Sequence, residues 1–285
     1  MIAKRILLYV HFNKDGNVDD YVIYQLRYIK PIFDQIILIS NSKVSSSDKK
    51  RLTGLYDKFI QRNNRGYDFA AWRDGIKKIG WKEIEKYDSL TLMNDTCFGP
   101  FVPMKPSYDR MEKLDIDFWG MTMHNGSNTG MPGTDGPVPR LIQSYFLAFN
   151  KNVVRSKVFR DFWTGVIDSN NVEFVIQNYE TRLTPLLSKK FNYDIVVRHN
   201  DTYPDITYLK PKLLIEKGLP LVKTKAFMEN IDSLTPYGLI RFIRSHTKTP
   251  TMYMYKYINK NKVGYTKSSI KKIIDRKVRN RSSQV

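Results

Sequence analysis

Four short polar clusters close apolar runs in the first part of the chain and carry the side chains best suited to chemistry. They are His11-Phe12-Asn13, Ser40-Asn41-Ser42, Asn63-Asn64-Arg65-Gly66 and Asn94-Asp95-Thr96. Amides and hydroxyls both donate and accept hydrogen bonds, which suits them to ligands rich in polar groups. Asp95 adds a hard oxygen ligand of the kind Mg²⁺ or Mn²⁺ takes, and such an ion often uses only one or two protein carboxylates. The same residue types also cap turns, so a purely local role for Asp95 is the competing reading. Arg65 and Arg73 are cations able to neutralise phosphate oxygens directly. Farther along, His199 opens the polar loop His199–Asp205 and suits a phosphate donor or a metal ligand alongside Asp95.

The elements that must position these groups alternate. Arg5–Phe12, Gln35–Ile39, Lys58–Gln61 and Ser89–Met93 are short runs of strand type. Val18–Ile29 and Phe69–Ile79 carry apolar residues at helical spacing, which places Phe69 and Trp72 on one core-facing stripe. Such alternation predicts a mostly parallel sheet flanked by helices, with ligands outside the C-terminal ends of its strands. Beyond residue 100 the pattern predicts strands at Phe118–Met123, Leu141–Phe149, Ile195–Val197 and Leu219–Val222, and one long helix over Val172–Leu187. A Gly/Pro/Asn-rich loop spans His124–Pro139. From Pro236 the chain turns basic and tyrosine-rich, with Tyr253, Tyr255 and Tyr257 alternating as in a strand or an interfacial aromatic set.

Bulk properties narrow the class. The 285 residues suffice for one large α/β domain and an appendage. A single cysteine, Cys97, excludes a disulfide framework within the chain and fits a reducing compartment. The N-terminal apolar run reads as a buried strand rather than a signal segment, and no run is long enough to cross a membrane. The net charge of +19 concentrates near the C-terminus, where 13 Lys/Arg face one acid from Arg241 onward. This points to a polyanionic partner: a phosphate-bearing substrate or an anionic membrane surface rather than nucleic acid, for which no recognition motif is present. Ser268–Asn280 places Ile270, Ile273 or Ile274, and Val278 on one helical face among Lys and Arg, the pattern of a helix lying on an anionic bilayer.

Several segments resemble a known family. Asn64–Gly75, Leu92–Pro100, Asp117–Gly120, Ile142–Phe149 and Tyr179-Glu180 are similar, in order, to motifs of the rhamnan synthesis protein F family, bacterial glycosyltransferases that build rhamnose-containing surface polysaccharides. The resemblance runs from Lys4 to about Asn230, some four-fifths of the chain. A more distant likeness to nucleotide-sugar transferases of the GT-A type implies a GT-A-like, Rossmann-type mixed sheet. It implies a transferase domain over residues 1–235, divided into a nucleotide-binding half (1–100) and an acceptor half (101–235), followed by a basic extension (236–285).

The resemblance also implies roles. His11, Asn13, Asn41, Asn64, Arg65, Gly66, Asp68, Arg73, Asn94 and Asp95 fall on the side of the nucleotide-sugar donor. Asp68 caps the helix that follows or orients the ribose or sugar. Asn94-Asp95-Thr96 stands where a paired-aspartate metal motif is expected, with one carboxylate in place of two. A divalent cation held by Asp95, with His199 as a further ligand, is one way to neutralise the diphosphate; Arg65, Arg73 or a C-terminal cation is the other. Glu180 takes the position of the general base, ahead of Asp161, Glu173 and Asp117. His124, Gln143, Ser144 and Tyr145 fall on the acceptor side.

The expected reaction is inverting transfer of L-rhamnose from dTDP-L-rhamnose to a growing, lipid-linked saccharide, at the cytoplasmic face of the membrane with peripheral attachment. The rivals are transfer of another sugar and a noncatalytic glycan- or polyanion-binding protein on the same fold.

Overall fold

The computed structural model describes residues 3–199, 205–207, 209–228 and 235–261. The strands are β1 (Arg5–His11), β2 (Gln35–Ser40), β3 (Lys58–Gln61), β4 (Ser89–Asn94), β5 (Cys97–Phe98), β6 (Phe118–Gly120), β7 (Met123–His124), β8 (Leu141–Ile142), β9 (Phe146–Asn150), β10 (Tyr193–Ile195) and β11 (Val222–Lys223). The helices are α1 (Asp20–Ile29), α2 (Ser46–Arg51), α3 (Tyr67–Ile79), α4 (Trp81–Ile84), α5 (Lys105–Lys113), α6 (Lys151–Arg155), α7 (Lys157–Gly165), α8 (Val172–Val175), α9 (Thr181–Leu187), α10 (Pro211–Glu216) and α11 (Pro236–His246).

Seven strands form the main sheet in the order β10-β6-β9-β4-β1-β2-β3. All run parallel except β9, which is antiparallel to both β4 and β6. The expected mixed, mostly parallel sheet with helices on its faces is therefore what the chain forms. β1 is buried along its whole length, and its side chains alternate between two cores. Leu7 and Tyr9 join the cluster under α1 and α11, whereas Ile6, Leu8 and Val10 join the one under α3 and α7. Burial on both faces explains why the strand reads as a continuous apolar run. The buried Arg5 at its start is held by Glu112 of α5 through two bonds of 2.7 Å.

The connectivity positions the site. From β1 the chain passes through α1 to β2 and on to β3 in one direction, then crosses back to place β4 on the other side of β1. The C-terminal ends of β1 and β4 therefore lie side by side, with α1 packed against the segment that leaves β4 through Tyr21 and Phe98, and strand ends of this kind are where open α/β sheets take ligands.

Elsewhere the structure departs from the sequence pattern. The helix expected over 172–187 is broken into α8, a π-helical turn at Ile176–Glu180, and α9. Pro185 lies inside α9 and lacks the N–H that a regular helix would use. The strand expected over 141–149 is interrupted at Gln143–Tyr145, so β8 pairs with β7 while β9 enters the main sheet. The strand expected over 195–197 runs instead over β10, in parallel register with β6.

Residues 252–261 are helical, not a strand, and Tyr253 and Tyr257 are one turn apart on a face packed against Tyr21, Tyr24 and Phe98. The same region adds Met254 and Ile258, with Leu239, Ile240 and Ile243 of α11, to the core that holds Leu7. Residues 236–261, where the basic extension was expected to begin, thus pack into the main body. The amphipathic stretch 268–280 lies outside the described residues. Among the described residues, no helix is long and apolar enough to cross a membrane.

Phe69 and Trp72 face the core as their spacing predicts; Trp72 is fully buried, edge-on to both Phe69 and Trp163. Trp72→Ala is expected to cost about 3–5 kcal/mol of stability through lost burial and an unfilled cavity. Urea denaturation measures it; a cost below 1 kcal/mol, on the order of a surface change, would contradict this placement.

Candidate active site

β1 and β4 run in register with Val10 opposite Asn94, so Phe12 and Asp95 emerge as neighbours. The Phe12 amide donates to Asp95 Oδ2 at 3.0 Å, and the Tyr21 hydroxyl on α1 donates to the Asp95 carbonyl at 2.8 Å. The turn after β4 is closed by Asn94, whose Oδ1 accepts from the Thr96 amide at 3.2 Å and from its hydroxyl at 2.6 Å. Asp95 is therefore not the residue that caps this turn. Asn94 Nδ2 donates to Asp68 Oδ2 at 2.6 Å, bringing a second carboxylate to the rim. Asp68 does not cap α3 either: the capping position is Gly66, with no side-chain cap bond. The carboxylate that the Asn94-Asp95-Thr96 motif lacks in sequence is supplied from a different element.

These two acids are electrostatically unusual. Burial pushes the Asp95 carboxyl up to about 7, against the opposing Phe12 hydrogen bond and with added repulsion from Asp19. Burial likewise raises Asp68 to about 7, reinforced by the charges of Asp95 and Glu180 and opposed by the Asn94 bond and by Lys223. His11 Nε2 stands 4.0 Å from Asp95 Oδ2, too far for a hydrogen bond. Burial lowers the His11 pKa despite the Asn17 carbonyl, which favours the neutral imidazole and makes this contact a dipolar one.

The acceptor half meets this rim because β9 runs antiparallel to β4. The Asn94 amide donates to the Tyr145 carbonyl at 3.3 Å, so Gln143–Tyr145 lies against the end of β4. Glu180, the last residue of the π turn, accepts from the Ser144 hydroxyl at 2.7 Å. Its charge is felt by both Asp68 and His124. His124 Nδ1 accepts from the Gly126 amide at 3.1 Å, and burial lowers its pKa against the pull of Asp205 and Glu180. Gln143 Nε2 donates to Asp205 Oδ2 at 3.0 Å. Glu180, Ser144, Gln143 and His124 are thus gathered, as expected.

Tyr145 is the exception. It is fully buried and its hydroxyl is hydrogen-bonded to Thr122 at 2.8 Å, so it does not present a group to an acceptor. Its ring instead lies under Lys223 Nζ, 4.8 Å from the centroid. Lys223 also donates to Thr96 Oγ1 at 3.2 Å. It is the cation that sequence reasoning missed. The predicted strand ended one residue short of it, and only the pairing of β11 with β5, with Lys223 opposite Cys97, carries it to the rim.

The remaining donor-side residues divide. Asn13 donates from Nδ2 to Asp19 at 3.0 Å and exchanges backbone bonds of 2.8 Å with the Ser42 hydroxyl, joining the ends of β1 and β2. Asn41 accepts from Arg62 at 2.8 Å. Asn64 and the exposed Arg65 lead into Gly66, whose φ of +75° and close approach to Ala70 exclude a side chain. Arg73 is a correction. Its guanidinium bonds Asp74, Asp168 and the Val166 carbonyl, pinning α3 to the 166–168 segment instead of facing the rim. His199 Nε2 contacts the Met123 carbonyl at 3.4 Å. Among the described residues, no group of three or more His, Cys, Asp and Glu side chains is placed to hold a metal ion.

Fold and rim together define an α/β protein with a polar rim at the ends of β1 and β4, where the buried Asp95, the half-buried Asp68, amides and one lysine come together. Residues 36–285 match the family model described as rhamnan synthesis protein F, and the chain belongs to that family. The uncharacterized protein y4gN of Sinorhizobium fredii is 32% identical over 149 residues, 52% of this chain and 37% of its own length. The chain thus spans well under half the length of this curated relative. Among solved structures, a cytidylyltransferase from Leptospira borgpetersenii is similar over 87% of this chain and 98% of its own, at 11% identity and a TM-score of 0.39. The mannosyltransferase Ktr4p of S. cerevisiae, in complex with GDP, is similar over 57% and 60%, at 8% identity and a TM-score of 0.36.

The raised carboxyl pKa values make stability depend on pH. Asp68 and Asp95 ionise near 3.8 when unfolded and about 7 when folded. The folded chain therefore holds protons that the unfolded chain has released, and stability is lost as pH rises from about 4 through about 7. Asp95→Asn keeps an acceptor for the Phe12 amide and removes the charge. Its melting temperature is expected to fall less than the parent's between about pH 5 and about pH 8, in thermal denaturation without added metal; equal slopes would contradict it.

Proposed function

We propose that this chain is an inverting glycosyltransferase that moves L-rhamnose from dTDP-L-rhamnose to a hydroxyl of a growing, lipid-linked surface polysaccharide. The observation that carries the reading is the convergence at one switch point of two kinds of group. The Asp68 and Asp95 carboxylates with an adjacent lysine suit a diphosphate carried with a divalent cation, and a separate carboxylate, Glu180, whose charge reaches Asp68, comes from the other half of the domain. Family membership supports the polysaccharide context.

In this reading His11, Asn13, Asn41, Asn64, Arg65 and Gly66 frame the nucleotide. Phe12, 44% exposed beside Asp95, offers a stacking face to the base. Asp68 and Asp95 fit a divalent cation such as Mg²⁺ or Mn²⁺: both are hard oxygen donors, and their raised pKa values mark negative charge that lacks full compensation. When bound, such an ion would supply charge neutralisation at the departing diphosphate. Lys223 contributes a fixed positive charge from the same side, held by Thr96 and the Tyr145 ring.

Glu180, oriented by Ser144, takes the proton from the acceptor hydroxyl as its oxygen bonds to the anomeric carbon. The bond from that carbon to the diphosphate oxygen breaks, and its electron pair leaves with the nucleotide. One displacement converts a β-linked donor to an α-linked product. Gln143 and His124 border the acceptor, and the basic C-terminal region supports attachment to an anionic membrane surface on the cytoplasmic side.

Turnover of a panel of nucleotide sugars, with and without Mg²⁺ or Mn²⁺, tests the donor. Preference for a UDP-hexose without turnover of dTDP-rhamnose would reject rhamnose while leaving transfer intact. Glu180→Gln is expected to lower kcat by about 10²–10⁴-fold with dTDP affinity unchanged. Lys223→Met is expected to weaken dTDP binding about tenfold, read by calorimetry. A parent chain that binds glycans and turns over no nucleotide sugar would favour a noncatalytic binding protein.

A further inference from the structure

The segment between β7 and β8 folds back along the helical run that ends at Glu180, and the two enclose a cavity of about 240 Å³. One wall comes from Gly133–Asp135 and the other from residues 171–178. The contact is close: Gly133 has φ +89°, and a Cβ there would meet Ile176 Cδ1 at 2.6 Å. Thr134 fixes the wall locally by bonding the Met131 carbonyl at 2.9 Å and accepting from its amide at 3.0 Å.

We propose that this cavity is a subsite for a neutral saccharide unit of the acceptor. The proposal rests on the glycosyltransferase reading for the word acceptor, and on the cavity's own chemistry for the word saccharide. Its lining combines two carboxylates, Asp135 and Glu173, with the amides of Gln177 and Asn178 and the ring of Phe174. Asp135 and Glu173 are exposed at its mouth and Gln177 is half-buried, and among the described residues none of the three side chains is engaged by another protein group. Asn178 Nδ2 donates to the Phe174 carbonyl at 2.9 Å, which orients its amide oxygen. Phe174 stands edge-on to Tyr179 at 5.9 Å and borders the cavity.

Carboxylate and amide oxygens accept from sugar hydroxyls, the Gln177 amide also donates, and an aromatic ring covers the C–H face of a pyranose. Two unpaired carboxylates disfavour a phosphate or another anion, although the chain carries a net charge of +19.

Position gives the subsite its use. Gln177 precedes Glu180 by three residues in the same π turn. His124, within reach of the Glu180 charge, is the last residue before the segment that builds the opposite wall. A saccharide held here is bound by the same two segments that lead to Glu180 and His124.

Saturation-transfer NMR with methyl α-L-rhamnoside, methyl glucoside and a rhamnan oligosaccharide, on the parent, Gln177→Ala and Glu173→Ala, tests the inference. The expected result is binding of at least one probe to the parent, weakened about tenfold in each variant, with dTDP affinity by calorimetry unchanged. In transfer assays the acceptor KM rises while the donor KM holds. No probe bound by the parent, or binding unaffected by both substitutions, overturns the subsite. Saccharide binding that depends on Gln177, in a chain that neither binds nor turns over any nucleotide sugar, would uphold the subsite and reject the transferase reading.

Discussion

The site depends on one constraint: β1 and β4 are neighbours in space although their chain connections lead to opposite sides of the sheet. The two strand ends are tied together by the Phe12–Asp95 bond. Because β1 is buried on both faces, its end has little freedom to shift, and the rim inherits that rigidity. β9 extends the same logic. Running against β4, it returns the chain to the rim, so that Tyr145 contacts Asn94 and Ser144 reaches Glu180.

Charge is distributed against the grain of the composition. A chain with a net charge of +19 places two carboxylates, buried Asp95 and half-buried Asp68, at its polar rim and sets Lys223 near them. Burial is the first cause of both raised pKa values, and mutual repulsion adds to it at Asp68. Such a pair is costly to ionise in the free protein. Elsewhere cations serve structure. Arg62 and Arg73 share Asp74 and Asp168, while Lys256 and Lys260 tie the helix 252–261 to Asp20 and Asp19 of the first helical unit.

Positioning also redistributes roles among neighbouring residues. In Gln143-Ser144-Tyr145, two side chains face functional partners and the third turns inward to support Lys223 from beneath. In Asn64–Gly75, Asp68 meets the rim, whereas Arg73, one and a half turns later on the same helix, points toward Val166 and Asp168. The π turn ending at Glu180 changes the angular order of that helix at the residue that accepts from Ser144.

Sequence alone was sufficient for the alternating elements of the first half and for the polar rim at the strand ends. These rest on local patterns: periodicity, strand-end position and short motifs. Tertiary structure alone decided that Asp68 joins Asp95, that Lys223 supplies the cation, that Arg73 and Tyr145 are structural, and that residues 236–261 belong to the main core. Each of these depends on which distant segments share a sheet edge or a helix face. That information lies in strand order and register, and no window of sequence contains it.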